Sequence, residues 1–284
     1  MRDALKLMRI PFSIFLMPVF WLALINLDAI PILKALLIFI IVHLLVYPAS
    51  NGYNSYFDKD EGSIGGLKHP PKVNRHLFPI VLCFDFFAVV LSLFLSWQFS
   101  ILILIYILVS KAYSYDKIRL KKYPIISTAV VILFQGFFMY LTIQFGLKAS
   151  LGSILLGHNL LLAVSSSLFL LGSYPLTQVY QHEEDSKRGD KTLSILLGIK
   201  GTFLFSSFAF LFGTLCLSIT LIQLNRLNDA FLFLALGAPI LLYFSVWFFQ
   251  VSRNSTAANY EHTMRMNKIS SISLSIAFFL MIVL

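Results

Sequence analysis

Long apolar runs dominate this chain, and each is long enough to cross a lipid bilayer as a helix. They fall at about 11–28, 32–50, 77–97, 99–113, 124–146, 158–180, 199–224, 230–251 and 269–284, the fourth and the last being the shortest. Roughly 17–25 apolar residues span the hydrocarbon core. In that medium backbone N–H and C=O groups must be satisfied internally, which continuous runs of this length achieve as helices. The expected architecture is all-α and polytopic: nine transmembrane helices around a central cavity, with a polar cap on the cytoplasmic side and one domain over 1–284.

Composition excludes the soluble classes. Hydrophobic residues make up 58% of the chain and charged residues only 12%, about half the charged share of a soluble domain. The first run lacks a small-residue cleavage site and is too long for a signal peptide. Cys83 and Cys216 both lie inside apolar runs, where buried thiols are expected rather than a disulfide.

The net charge is +9, and its distribution sets the topology. With nine spans, all of the 22 Lys and Arg except Lys34, Lys148 and Arg226 fall on the side of the N-terminus. The positive-inside rule makes that side cytoplasmic. The absence of an Arg/Ser-rich presequence leans toward a bacterial inner membrane. The lipid bilayer is the expected surrounding, with no nucleic-acid partner and no obligate protein partner.

Two acidic clusters interrupt this apolar frame on the same side. The first contains Asn54, Asp58, Asp60 and Glu61; the second contains Gln181, Glu183, Glu184, Asp185 and Asp190. Each follows a membrane run, and each sets an amide and a carboxylate four residues apart, on one helix face. Crowded carboxylates repel one another unless cations neutralise them. Two such clusters at one membrane face point to a divalent-metal site for a polyanionic, phosphorylated substrate.

Magnesium takes oxygen ligands and shares them with substrate phosphates. Asp58 and Asp185 are the leading ligands, with Asn54, Asp60, Glu61, Gln181 and Glu184 completing the candidate set. The bland alternative is a pair of solvated loops balancing nearby lysines, and duplication on one face weighs against it. Lys59, Lys117, Arg119 and Lys187 are basic candidates for a diphosphate, where positive charge stabilises a leaving group. Lys121 and Lys122 read as a topology-setting patch beside anionic lipid. Asp85, the acidic residue set well inside a run, is a candidate for the substrate chamber. Pro48 and Pro175 precede the two clusters and are expected to bend their helices.

These residues resemble the UbiA-type intramembrane prenyltransferase superfamily over nearly the whole chain. Its first motif, Asn followed by Asp at the fourth and eighth positions, is met by Asn54 and Asp58, with Gly62 at the eighth. Its second motif, two Asp four apart, is met by Gln181 and Asp185, with Gly189 to Leu193 following as in the family. Glu183 or Glu184 stands ready to compensate for Gln181. Tyr113 and Lys117 match a Tyr-x-x-x-Lys pattern, and Arg9 before Pro11 is similar to the family's arginine at the first helix. The resemblance implies a Mg2+-dependent transfer of a polyprenyl group from a polyprenyl diphosphate to a small acceptor, aromatic and quinone-precursor-like in most members. It casts Asp58, Asp185 and Lys117 as catalytic and Arg9 as a diphosphate ligand. Other members use non-aromatic acceptors or cyclise the prenyl chain.

Two rivals stand beside it. A carrier of phosphorylated solutes would place its binding groups near the bilayer midplane, whereas here charge gathers at one face. An intramembrane metalloprotease would need a histidine in register after His182-Glu183, and none follows.

Overall fold

The computed structural model describes residues 1–27, 29–147 and 150–284. Asp28, the end of the first predicted span, and Lys148, one of the three cations counted on the far side, lie outside the described residues. Helices account for nearly all of the structure. Among the described residues the β-type pairing is a single isolated bridge, Ile64 with Leu67.

Among the described residues, eight helices are long and apolar enough to cross a membrane: α1 (Arg2–Leu24), α2 (Ile32–Asp58), α4 (Trp97–Ser114), α5 (Pro124–Gly146), α6 (Gly157–Leu176), α8 (Leu193–Gln223), α9 (Leu227–Arg253) and α10 (Tyr260–Val283). The remaining expected span forms α3 (Leu77–Leu93), an apolar helix of only 17 residues. Between α6 and α8 lies the six-residue α7 (His182–Lys187). The fourth span, α4, is short as expected at 18 residues, α3 is one residue shorter still, and the last helix, at 24 residues, is not short. The last helix starts at Tyr260 rather than near 269, because Asn259 caps it by accepting from the His262 N–H.

Proline and inserted side chains explain why several helices are irregular. Pro11 and Pro18 each open a new segment of α1, which turns at Arg9 through a left-handed backbone. Pro48 has no N–H to return to the preceding turn, and wide π turns fill Ile40–Val46 just before it. In α5 the π turns at Leu133–Phe138 have a different cause. The Ser167 hydroxyl of α6 donates to the Ile132 carbonyl at 2.7 Å and accepts from the Phe137 N–H at 2.9 Å. A hydroxyl inserted into the helical ladder widens it. Gly136 permits the approach, since a Cβ there would lie 2.8 Å from the Ser167 Cα.

The two ends of the bundle differ in kind. At the far end, Tyr140, Gln144 and Asn159 form a buried hydrogen-bonded cluster. Beside it, Arg226 donates to the Ile25 carbonyl of the α1 end and to the Met281 carbonyl of α10, the latter at 2.8 Å. Both acidic clusters sit at the opposite, capped end. Between the ends, large apolar side chains such as Phe86, Leu108, Phe212 and Leu242 point outward and stay exposed, as a lipid-facing surface requires. The chain is an integral, multi-pass membrane protein.

Candidate active site

Asp58 is the last residue of α2 and is only 7% exposed. Lys59 follows with φ of 51°, which stops the helix and turns the chain into the cap. A carboxylate at a helix C-terminus meets the negative end of the dipole and needs cations nearby. It has three. Lys121 contacts Asp58 Oδ1, and Arg119 and Arg188 approach the same oxygen at 3.6 and 3.7 Å. The Lys121 contact is Coulombic: Asp58 Oδ1 is buried and makes no aligned hydrogen bond. One turn earlier, the Asn54 amide oxygen accepts from the Ser114 hydroxyl at 2.7 Å.

The second cluster is seated differently. Glu183, Glu184 and Asp185 occupy the first turn of α7, where the dipole favours negative charge. Glu184 Oε1 accepts from the backbone N–H groups of Glu61 and Gly62, at 3.0 and 3.3 Å. Gln181 donates to the Ser63 carbonyl at 3.2 Å. Arg188 Nη1 donates to Asp60 at 2.8 Å. Arg119 grips both oxygens of Asp190, at 2.9 and 2.8 Å. These bonds join the two clusters into one cap.

Beneath the cap runs a cavity of about 380 Å3. Its mouth is polar, bordered by Arg9, Asn54, Asp58, Asp60, Lys121, Gln181, Asp185 and Asp190. Tyr113 and Tyr174 line it below, their hydroxyls 2.6 Å apart, with Ser127 3.0 Å from Tyr174. Deeper walls are apolar and aromatic, including Phe134, Phe169, Phe210, Phe233 and Phe278. Gln135, in the π turns of α5, also faces this space.

The crowding leaves an electrostatic mark. Burial pushes Asp185 up to about 7, with Asp190, Asp60 and Asp58 adding to the push and Lys121 opposing it. Burial, then Asp58, raises Asp60 to about 6. Both carboxyls would ionise more readily with a further cation between them. Among the described residues no three His, Cys, Asp or Glu groups stand together in ligating geometry; Lys121, Arg119 and Arg188 fill the space instead. The donor set nevertheless fits a hard divalent ion. Every candidate is an oxygen, and the buried Asp58 Oδ1 still lacks a hydrogen bond.

The structure gathers Arg9, Asn54, Asp58, Asp60, Gln181 and Asp185 around one space. It does not bring Lys59, Lys117 or Lys187 there. All three are exposed, and Lys187 is paired with Glu183 at 2.6 Å. Glu61 is exposed and contributes its backbone N–H. Glu184 ties the cap rather than facing the cavity, and Arg119 reaches the site through Asp190 and Asp58. Asp85 does not border the chamber. It pairs with Lys111 at 2.6 Å, whose ammonium lies 4.4 Å from the centre of the Tyr53 ring. Sequence reasoning passed over Lys121 and Arg188 as site residues. The alternation of charge across Arg188, Gly189 and Asp190 was the signal for the latter.

The sequence profile of the UbiA prenyltransferase family matches residues 15–269. No curated protein matches the chain by sequence. Among solved structures, one described as giving insight into the biosynthesis of digeranylgeranylglyceryl phosphate synthase in membranes aligns over 100% of this chain and 99% of its own, with TM-score 0.62 and 22% identity. A UbiA homologue from Archaeoglobus fulgidus bound to GPP and Mg2+ covers 99% of this chain and 100% of its own, with TM-score 0.71 and 14% identity. The same homologue bound to DMAPP and Mg2+ gives TM-score 0.69 and 15% identity over 99% of each chain. These likenesses establish a shared polytopic helical fold.

Proposed function

We propose, from the premise that this chain belongs to the UbiA prenyltransferase family, that it moves a polyprenyl group from a polyprenyl diphosphate to a small acceptor and releases diphosphate. One observation carries the reading: two acidic segments, bonded to each other, close the polar mouth of a cavity whose deeper walls are mainly apolar and aromatic. The polar mouth suits a diphosphate, and the aromatic depth suits a prenyl tail. The similar structure bound to GPP and Mg2+ supports this donor class.

Asp58, Asp60 and Asp185, with the amide oxygens of Asn54 and Gln181, are the residues that would hold Mg2+, which when bound draws charge away from the departing diphosphate. Lys121, nearly buried between Asp58 and Asp190, takes the leaving-group role that the sequence reading gave to Lys117. Arg9 reaches the same mouth from α1. In the transfer, the allylic C–O bond breaks with its electron pair leaving on the diphosphate. The acceptor then supplies the electrons of the new bond. The Tyr113–Tyr174 pair and the apolar walls keep water from the carbon centre. Ring faces such as Phe134 and Phe169 offer it negative potential.

The acceptor is a small aromatic, quinone-precursor-like molecule on the sequence reading. A non-aromatic acceptor is the second reading, supported by the similar structure named for digeranylgeranylglyceryl phosphate synthase. The chain acts as one domain, with N-terminus and site on the cytoplasmic face of a bacterial inner membrane, a placement supported by the lopsided Lys and Arg distribution. The test is a proteoliposome assay with prenyl diphosphate, Mg2+ and panels of aromatic and non-aromatic acceptors. Diphosphate release matched by prenylated product is expected. Solute flux without diphosphate release would favour the carrier instead.

A further inference from the structure

A second hollow opens on the outside of the bundle, where α1 meets α10 at the capped end. It is a groove of about 780 Å3 that adjoins the cavity beneath the cap and shares Arg9, Phe12, Phe15 and Ser271 with it. Four cations border it: Arg2, Lys6 and Arg9 of α1, and Lys268 of α10. Among the described residues no carboxylate borders it. The acidic residues nearest in sequence are Asp3 and Glu261; neither lines the groove, and Glu261 is paired with Lys68. The other walls are apolar, with Leu5, Ile14 and Ile272 all more than a third exposed.

Each half of this lining constrains the occupant. A soluble anion has no use for the exposed apolar walls, and a neutral lipid gains nothing from Arg2, Lys6 and Lys268, which face no carboxylate in the groove. Cations at the ends of membrane spans, above apolar side chains, match a phosphate headgroup with a hydrocarbon tail. Arg9 adds an independent observation. It is 9% exposed and donates to the carbonyls of Gly65 and Asn51, yet its buried Nε has no partner. It borders both hollows, so the groove and the cavity share this side chain as a wall.

We infer that the groove is a binding site for an anionic phospholipid of the surrounding leaflet. The phosphate sits among Arg2, Lys6 and Lys268, and one acyl chain lies along Leu5, Ile14 and Ile272. The assignment does not depend on the transferase reaction.

Native mass spectrometry of the purified full chain, titrated with phosphatidylglycerol and phosphatidylcholine, tests the site. Phosphatidylglycerol adducts should be retained well beyond phosphatidylcholine adducts. The combined variant Arg2→Gln, Lys6→Gln, Lys268→Gln should lose that preference, by up to on the order of 100-fold for three removed cations. The control Lys72→Gln, Arg75→Gln, Arg253→Gln removes equal charge away from the groove and should keep it. Thermal unfolding of both variants reports whether the fold survives. Equal retention of the two lipids by the wild type overturns the inference. So does equal loss in the control, which would mean diffuse electrostatics, or a dimer of the chain in place of a lipid adduct.

Discussion

The two acidic clusters look alike in sequence but are seated in opposite ways. Asp58 ends a long membrane helix, against the unfavourable pole of that helix, and is clamped by Lys121, Arg119 and Arg188. Asp185 stands in the first turn of the six-residue α7, where the pole is favourable, yet burial among carboxylates raises it to about 7. Asp58 is a fixed point, held by three protein cations. Asp185 sits instead on a six-residue helix that buries none of its residues fully. A repeated motif therefore does not mean a repeated role. Asp58 is the anchored carboxylate, and Asp185 is the one expected to respond to Mg2+.

The largest expected effect breaks the anchor. Asp58→Asn should lower diphosphate release in proteoliposomes by on the order of 100- to 1000-fold, with membrane insertion retained. A loss of only a few fold would mean that the clamp is structural and the two clusters are equal partners.

The pH dependence addresses Asp185 of the second cluster together with Asp60 of the first. Asp185, at about 7, and Asp60, at about 6, hold protons in the folded chain that an unfolded chain has already released. Between the ordinary carboxylate value and about 7, the metal-free folded state binds more protons, so its stability must fall as pH rises. Thermal unfolding in detergent without Mg2+ should give a higher Tm near pH 5 than near pH 8. Added Mg2+ should raise Tm more at the higher pH. A metal-free Tm that climbs with pH would contradict this seating of Asp185.

Smaller changes sharpen the contrast. Gln181→Asp gives up one donor bond to Ser63 and adds a carboxylate to the responsive cluster. Steady-state rates should change by no more than about 5-fold, with tighter apparent Mg2+ binding, since a lost hydrogen bond costs only about 1 kcal/mol. Lys117→Ala, at an exposed position outside the cavity, should leave kcat/KM within about 2-fold; exposed charges contribute little at that distance.

The membrane architecture and the meeting of the clusters were legible because bilayer length and crowded like charge are strong, local signals. Which cations serve the site was not. Lys117 and Lys121 are both lysines on one loop, and their fates diverge because Arg119 takes a left-handed backbone (φ 43°) before the short 3-10 turn Leu120–Lys122. That twist turns Lys121 inward and leaves Lys117 in solvent, and no spacing rule encodes it. The start of α10 escaped for a related reason. Residues 260–268 are too polar to read as a membrane run, yet Asn259 caps them into the helix. Asp85 reads as a chamber residue because its partner, Lys111, belongs to another helix and no spacing along the chain pairs the two.

Arg226 carries a mechanical consequence. By holding the ends of α1 and α10 together on the far side, it works as the pivot of a pair of tweezers. Any parting of these two helices must then be widest at their opposite tips, beside Arg9, and narrowest where the guanidinium rivets them.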